Sequence, residues 1–225
     1  GTQIDHVQVS YSNDDSFEWF GGTVNAKYLV AYHGWDDDFD TDNGYSGNLQ
    51  FLLGVRNPQI ADQSLSNGFE SDNNANGTTD EPYTKAVFSN VTLIGPIGQA
   101  TDFANTTQYI TGNGLNPNNG SRLGVFQAAI QIRRNSRLNL FNSVATGYPV
   151  GLILDNQKGT TQKWAEDGTL KLQNNVFAGM NVLGADINKQ SPTWTDQLST
   201  NGTSITDETK ASFSSTFFKL TANNN

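Results

Sequence analysis

Asp36-Asp37-Asp38-Phe39-Asp40-Thr41-Asp42-Asn43-Gly44 is where the chain concentrates its charge, and the copies of this stretch on either side decide the fold. At an offset of 22 residues, Asp14-Asp15-Ser16-Phe17-Glu18-Trp19-Phe20-Gly21-Gly22 puts acid on acid, Phe on Phe and Gly on Gly. Val7-Gln8-Val9-Ser10-Tyr11 falls on Leu29-Val30-Ala31-Tyr32-His33 at the same offset, and Phe51-Leu52-Leu53 continues the apolar register. In a third copy, Gly68-Phe69-Glu70-Ser71-Asp72-Asn73-Asn74, Phe69 follows Phe39 by 30 residues, so an excursion such as Ile60-Ala61-Asp62-Gln63-Ser64-Leu65 is expected to bulge out. A repeat of about 20–30 residues with short apolar runs, Gly/Asn corners and no helical period is the pattern of a β-solenoid.

Outward from the repeat, residues 4–12 alternate apolar and polar and turn at Ser12-Asn13-Asp14. Residues 26–33 and 49–55 read as the same strand in the next coils, and residues 16–20 and 38–42 as the second strand of each coil. Residues 73–85 read as a loop. Val87-Phe88-Ser89-Asn90-Val91, Leu140-Phe141-Asn142-Ser143-Val144 and Leu172-Gln173-Asn174-Asn175-Val176 form a cleaner repeat that closes on Gly95, Gly147 and Gly179. Asn in such a corner can bond backbone amides and meet the Asn of the next rung. Insertions are expected at 97–121 and 156–169, and strands at 125–134 and 150–154. The expected organisation is one all-β domain, a parallel β-helix over about 4–180, with Phe213, Phe217, Phe218 and Leu220 folding over the last coil in a cap spanning about 190–222 and a frayed Asn223-Asn224-Asn225. A strand-like segment begins at Ile4 with no N-terminal cap before it, so the chain reads as a mature or excised piece whose upstream part is missing.

The chain has 225 residues, enough for one core of ordinary size, and a formal charge of −9. Scarce Lys and Arg argue against nucleic acid as a partner, since phosphate binding rests on them. An acidic polysaccharide would bind only through a metal ion or a local basic patch. Without cysteine, disulfides and thiol chemistry are excluded. No apolar run approaches the roughly 18–20 residues of a transmembrane helix, and no signal peptide is visible.

The Asn174-Asn175-Val176-Phe177-Ala178-Gly179 coil and the stacked Phe positions resemble the right-handed parallel β-helix of the pectate-lyase-like superfamily, over roughly residues 4–180. The chain is also similar to secreted bacterial β-helix proteins of no established activity. This resemblance implies an extracellular, cell-surface or periplasmic protein whose partner is a polysaccharide or cell-surface glycan. Pectate-lyase-like enzymes use calcium with an Arg or Lys base, for which Arg133 or Arg134 would be the candidates. The polygalacturonase-like signature departs here: His33-Gly34 precedes the aspartates, and Ile132-Arg133-Arg134 lacks the terminal Lys.

If Phe17, Phe39 and Phe69 point inward, the two-residue strand period sends Asp38, Asp40 and Asp42 outward. Glu18, Asp40 and Glu70 then stack on successive rungs about 4.8 Å apart, with Asp42 and Asp72 in a second column. Carboxylates this close repel, so a cation sits among them, or one carboxyl keeps its proton, or the side chains splay into water. Asp38, Asp40, Asp42, Glu18, Glu70 and Asp72 are the candidate ligands of a calcium ion, which takes hard oxygen donors. An EF-hand is excluded, because the Gly is one place late and Leu49 stands where the bidentate Glu belongs. The bland alternative is a solvated acidic face. For catalysis the candidates are Glu18, Asp40, Glu70 and Arg133, with Glu18 and Glu70 two rungs apart, near the ~9.5 Å upper limit of an inverting pair. Trp19, Trp35 and Tyr45 either stack on sugars or pack the core. His6 and His33 fall in different columns and form no pair, and the sequons at Asn90, Asn105 and Asn201 follow from composition. Two functions remain open: a non-catalytic surface module binding a cation and either carbohydrate or another protein, or a polysaccharide lyase or glycoside hydrolase.

Overall fold

The computed structural model describes residues 2–110, 124–189, 194, 196–198, 205 and 211–225. The end of the first insertion, most of the tail from 190 and Asn201 lie outside them. The described chain winds into a right-handed parallel β-helix, the handedness that crossovers between parallel strands take. One sheet stacks β1 (Ile4–Ser10), β3 (Ala26–Tyr32), β5 (Asn48–Val55) and β7 (Val87–Ile94). In the lower coils β7 is matched by two shorter strands per rung, β9 (Asn139–Phe141) with β10 (Val144–Thr146), then β12 (Lys171–Gln173) with β13 (Val176–Ala178). The second sheet runs β2 (Phe17–Phe20), β4 (Phe39–Asp42), β6 (Phe69–Ser71), β8 (Ala128–Ile132), β11 (Val150–Asp155) and β14 (Val182–Ile187), so the coils continue past residue 180.

The predicted stack is present. Phe17 pairs with Phe39 and Phe39 with Phe69, with ring centroids 5.7 and 5.3 Å apart. Ile130 and Leu152 continue this column and Phe88 closes on Phe69 from the opposite sheet, giving one continuous core.

The first sheet carries a bend that simple alternation does not describe. Inward residues are Leu49, Leu52 and Gly54 in β5 and Phe88, Val91 and Leu93 in β7, a step of three followed by a step of two. The extra residue is a left-handed one, as in a bulge: Phe51 (φ 62°) and Asn90 (φ 57°), with His6 (54°), Tyr28 (55°), Asn142 (52°) and Asn174 (58°) in the same column. Asn tolerates this conformation, whereas a residue with a larger side chain is disfavoured there by about 1–2 kcal/mol. Because the left-handed residues align, the first of the three Asn-bearing copies sits one place from its expected register while the other two match it: Phe88, not Val87, stands on Leu140, and Thr92, not Val91, stands on Val144.

Just past the bend, a polar ladder runs down the coils. Ser143 Oγ accepts from the Val91 amide (3.0 Å), Asn175 Oδ1 from the Ser143 amide (3.0 Å) and Asn225 Oδ1 from the Asn175 amide (2.8 Å). The C-terminus is therefore docked rather than frayed, since Asn225 Nδ2 also donates to the carbonyls of Leu172 and Phe218. The cap itself is α2 (Phe213–Phe218), held by Asp186, whose carboxylate accepts the amides of Phe213 and Ser214 at 2.5 and 2.9 Å. Phe213, Phe217 and Phe218 are buried and Phe218 packs on Phe177 at 4.3 Å, but Leu220 is exposed. The excursion after β5 carries its own small core, in which Ala61, Val125 and Phe126 meet Ile110 and Phe103. The second insertion forms a short helix, α1 (Thr161–Glu166).

Asn175→Ala removes a buried acceptor and donor, and is expected to destabilise by about 1–3 kcal/mol. That corresponds to a fall in melting temperature of roughly 2–4 °C per kcal/mol in a chain of this size; Leu220→Ala, at an exposed site, is expected to leave the midpoint within 1 °C or so.

Candidate functional site

The outer face of the second sheet is built from three columns. In the middle one, Glu18, Asp40, Glu70 and Gln131 are register partners on successive rungs, as the repeat predicts. A corner column lies before it, where Asp15 Oδ1 accepts the Asp37 amide (2.8 Å), Asp37 Oδ1 the Asn67 amide (2.5 Å) and Asn67 Oδ1 the Ala128 amide (3.0 Å). Each acid here substitutes for a turn's own hydrogen bond by satisfying the amide of the next coil. On the far side stand Phe20 and Asp42, with Asp72 and Arg133 just beyond the ends of β6 and β8.

Not all of the predicted acids come together. Asp38 turns inward instead of joining the outer face: it is fully buried, its Oδ1 lies 3.0 Å from Arg56 Nη1 and its Oδ2 3.4 Å from the Tyr148 hydroxyl. Arg56 also donates to the carbonyls of Asp36 (2.6 Å) and Trp35 (3.1 Å), tying the start of the excursion to the corner. Gly54 makes room for this pair, since a Cβ there would stand 2.6 Å from Asp38 Oδ2. Burial pushes Asp38 up to about 6, with Arg56 opposing.

Glu70 and Asp72 are occupied as well. Arg133 bonds Glu70 through Nη2 and Asp72 through Nε (2.8 Å), and Arg134 bonds Asp72 at 2.6 Å. The acidic columns thus carry their own cations, contributed by the rung after a 61-residue gap in sequence. Burial pulls the Arg133 guanidinium down, but the Glu70 and Asp72 carboxylates outweigh it and hold it above its ordinary value. A group held protonated this way is unsuited to act as a lyase base.

Among the described residues, the carboxylates left without a cation lie on the two rungs before. Asp15, Glu18 and Asp40 each offer an oxygen within 4.8 Å of the others, and Asp14, Asp15 and Asp36 do the same beside them. Asp40 Oδ1 is buried and has no hydrogen-bond partner among the described residues. Burial, then the neighbouring Glu70 and Asp15, pushes Asp40 up to about 10; burial and then Asp36 push Asp15 up to about 8. Burial and then Asp14 raise Glu18 as well, and burial pushes Asp36 up to about 6 against the opposing Ser64 hydrogen bond. Asp42 is half-buried and sits outside this group. The sequence reading missed Asp14, Asp15 and Asp36, although the 22-residue offset already laid Asp14-Asp15 on Asp36-Asp37.

The aromatic candidates are packing residues: Trp35 and Tyr45 are buried, and Trp19 stacks on Tyr45 at 5.4 Å. His6 and His33 stand apart, His6 stacked on Tyr28 and His33 bonded to the Tyr11 hydroxyl at 3.1 Å.

The chain is matched from residue 1 to 220 by the family model described as a pectate-lyase like beta helix domain. The chain belongs to that family. No curated protein and no solved structure matched it. Within this pectate-lyase-like domain, no helix among the described residues is long and apolar enough to cross a membrane.

Removing one partner of the buried Arg56–Asp38 pair strands a charge, so Arg56→Met is expected to destabilise by about 3–5 kcal/mol. The double variant Arg56→Met with Asp38→Leu should recover most of that loss in denaturant unfolding, which would separate the pair's coupling from simple packing.

Proposed function

We propose that this pectate-lyase-like domain is a secreted or cell-surface module that holds a divalent cation, calcium being the best match, among Asp15, Glu18 and Asp40, and with it an acidic glycan. The observation that carries this reading is the buried, unpartnered Asp40 Oδ1 inside a set of carboxylate oxygens within 4.8 Å of one another. The donor set is all hard oxygen, which suits calcium and not the softer transition metals. When bound, the ion supplies positive charge that offsets the carboxylate repulsion and leaves coordination positions for sugar carboxylates. Asp15 also keeps its hydrogen bond to the Asp37 amide, which fixes one ligand in place.

Catalysis by the same carboxylates is the second reading, favoured by one feature. Asp40 retains its proton at neutral pH beside the more exposed Glu18, the asymmetry a glycosidase acid and its partner require. Appearance of shortened chains from a polyuronate or a neutral glycan, absent with Asp40→Asn, would replace the binding reading with this one.

The pH dependence has a definite sign. Asp40 and Asp15 bind protons more tightly folded than unfolded, so their contribution to stability is full below the unfolded value near 3.8 and is lost as pH rises through about 8 and about 10. The metal-free protein in chelator is therefore expected to melt at lower temperature at pH 8.5 than at pH 5. Calcium at about a hundredfold excess over its Kd should raise the pH 8.5 midpoint by about 2.7 kcal/mol, or roughly 5–10 °C. Asp40→Asn should raise the metal-free midpoint and abolish the calcium response. A melting curve that calcium leaves unmoved at every pH would defeat the cation reading and leave a solvated acidic face.

A further inference from the structure

The bend column of the first sheet changes character along the solenoid. Its lower rungs carry Asn90, Asn142 and Asn174, residues suited to the left-handed conformation, and His6 at the top is tolerated there too, but Tyr28 and Phe51 between them take that same conformation against their preference. His6, Tyr28 and Phe51 are exposed, the last two at 44% and 41%, and their rings stack at 4.6 Å and 5.2 Å into a ridge along the outside of the coils. An exposed, strained aromatic column where the fold has an unstrained solution three rungs on points to selection for something other than folding.

A cavity of about 480 Å³ runs beside the ridge. Val30 and Leu53, both half-buried, lie along it with the edges of Tyr28 and Phe51, while Gln8 and Asn90 supply amides. Asn90 Oδ1 accepts from Gln50 (3.1 Å) and Ser89 (2.9 Å), which leaves its Nδ2 donor for a ligand. Among the described residues, no aspartate, glutamate, lysine or arginine lines this cavity, in a chain whose formal charge is −9. A second cavity of about 500 Å³ flanks the other side of His6 and Tyr28.

We propose that this ridge and its uncharged groove bind a neutral oligosaccharide lying along the solenoid axis. Sugar C–H faces would pack on the ring edges and aliphatic side chains, with hydroxyls bonded to the amides of Gln8 and Asn90. Absence of charge selects against uronates, and the amides select against a purely apolar ligand. The site lies on the first sheet and involves none of Asp15, Glu18 or Asp40, so it stands whether or not the cation reading holds.

The test is calorimetric titration of the full chain, in chelator to silence the acidic site, with cellohexaose, xylohexaose, mannohexaose and trigalacturonate as probes. Tyr28→Asn, Phe51→Asn and their combination are the variants, chosen because the fold already places Asn in this column; their melting midpoints should be no lower than wild type by more than a few degrees. The expected result is binding of at least one neutral hexaose and no binding of trigalacturonate. The double variant should then lose at least tenfold in affinity while remaining folded. The proposal is overturned if no neutral hexaose binds, or if trigalacturonate binds as well as the best of them. Unchanged affinity in the folded double variant would also overturn it. So would a wild-type dimer in sedimentation that the double variant dissolves, which would make the ridge a contact between copies of this chain.

Discussion

Each coil is held to the next by backbone hydrogen bonds between parallel strands, and that translation of about 4.8 Å per rung governs everything else in the molecule. A side chain placed inward is repeated inward one rung later, which is how Phe17, Phe39 and Phe69 become a continuous core from segments far apart in sequence. The corner amides of Asp37, Asn67, Ser143 and Asn175 also face a neighbouring coil. The Asp15–Asp37–Asn67 and Ser143–Asn175–Asn225 ladders exist because a short polar side chain at a corner is the nearest acceptor for that amide.

Translation stacks charges as readily as it stacks rings. Where the next rung supplies Arg133 and Arg134, Glu70 and Asp72 have cations beside them, although burial still pushes Glu70 up to about 8 against Arg133. Where it supplies only more acid, at Asp15, Glu18 and Asp40, burial and crowding by like charge act together to raise proton affinity. The two halves of one column therefore differ in chemistry although they share a backbone geometry. The difference arises from a single register partner, Gln131, whose strand is followed at once by two arginines.

Much of this was legible in the residues alone. The Phe column and the second strands at 16–20 and 38–42 follow from repetition, which survives insertions because the strands on either side must still pair, and the capping phenylalanines stand out where that repetition ends. Three things were not legible, each for a physical reason. Asp38 turns inward because Arg56 and Gly54, distant in sequence, provide a partner and a space; alternation sees neither. Asp15 lies in a corner, where a two-residue period says nothing about direction. The sequence alone lays Val91 on Val144, whereas the left-handed residue common to the rungs aligns Asn90 with Asn142 and Asn174 and so brings Thr92 to Val144.

The lower end of the helix differs from an ordinary sheet margin. Beneath the last coil, α2 packs its backbone against Gly184, and Asn223 and Asn225 take up the amides of Asn174 and Asn175. A β-helix left bare there would offer a template onto which another coil could add, the route by which stacked sheets grow into fibres. Here the polar groups at the bend of the last coil are already engaged, because Asn223, Asn224 and Asn225 bond Asn174 and Asn175 as the next rung would. Three side-by-side asparagines thus imitate one further turn of the spiral without extending it.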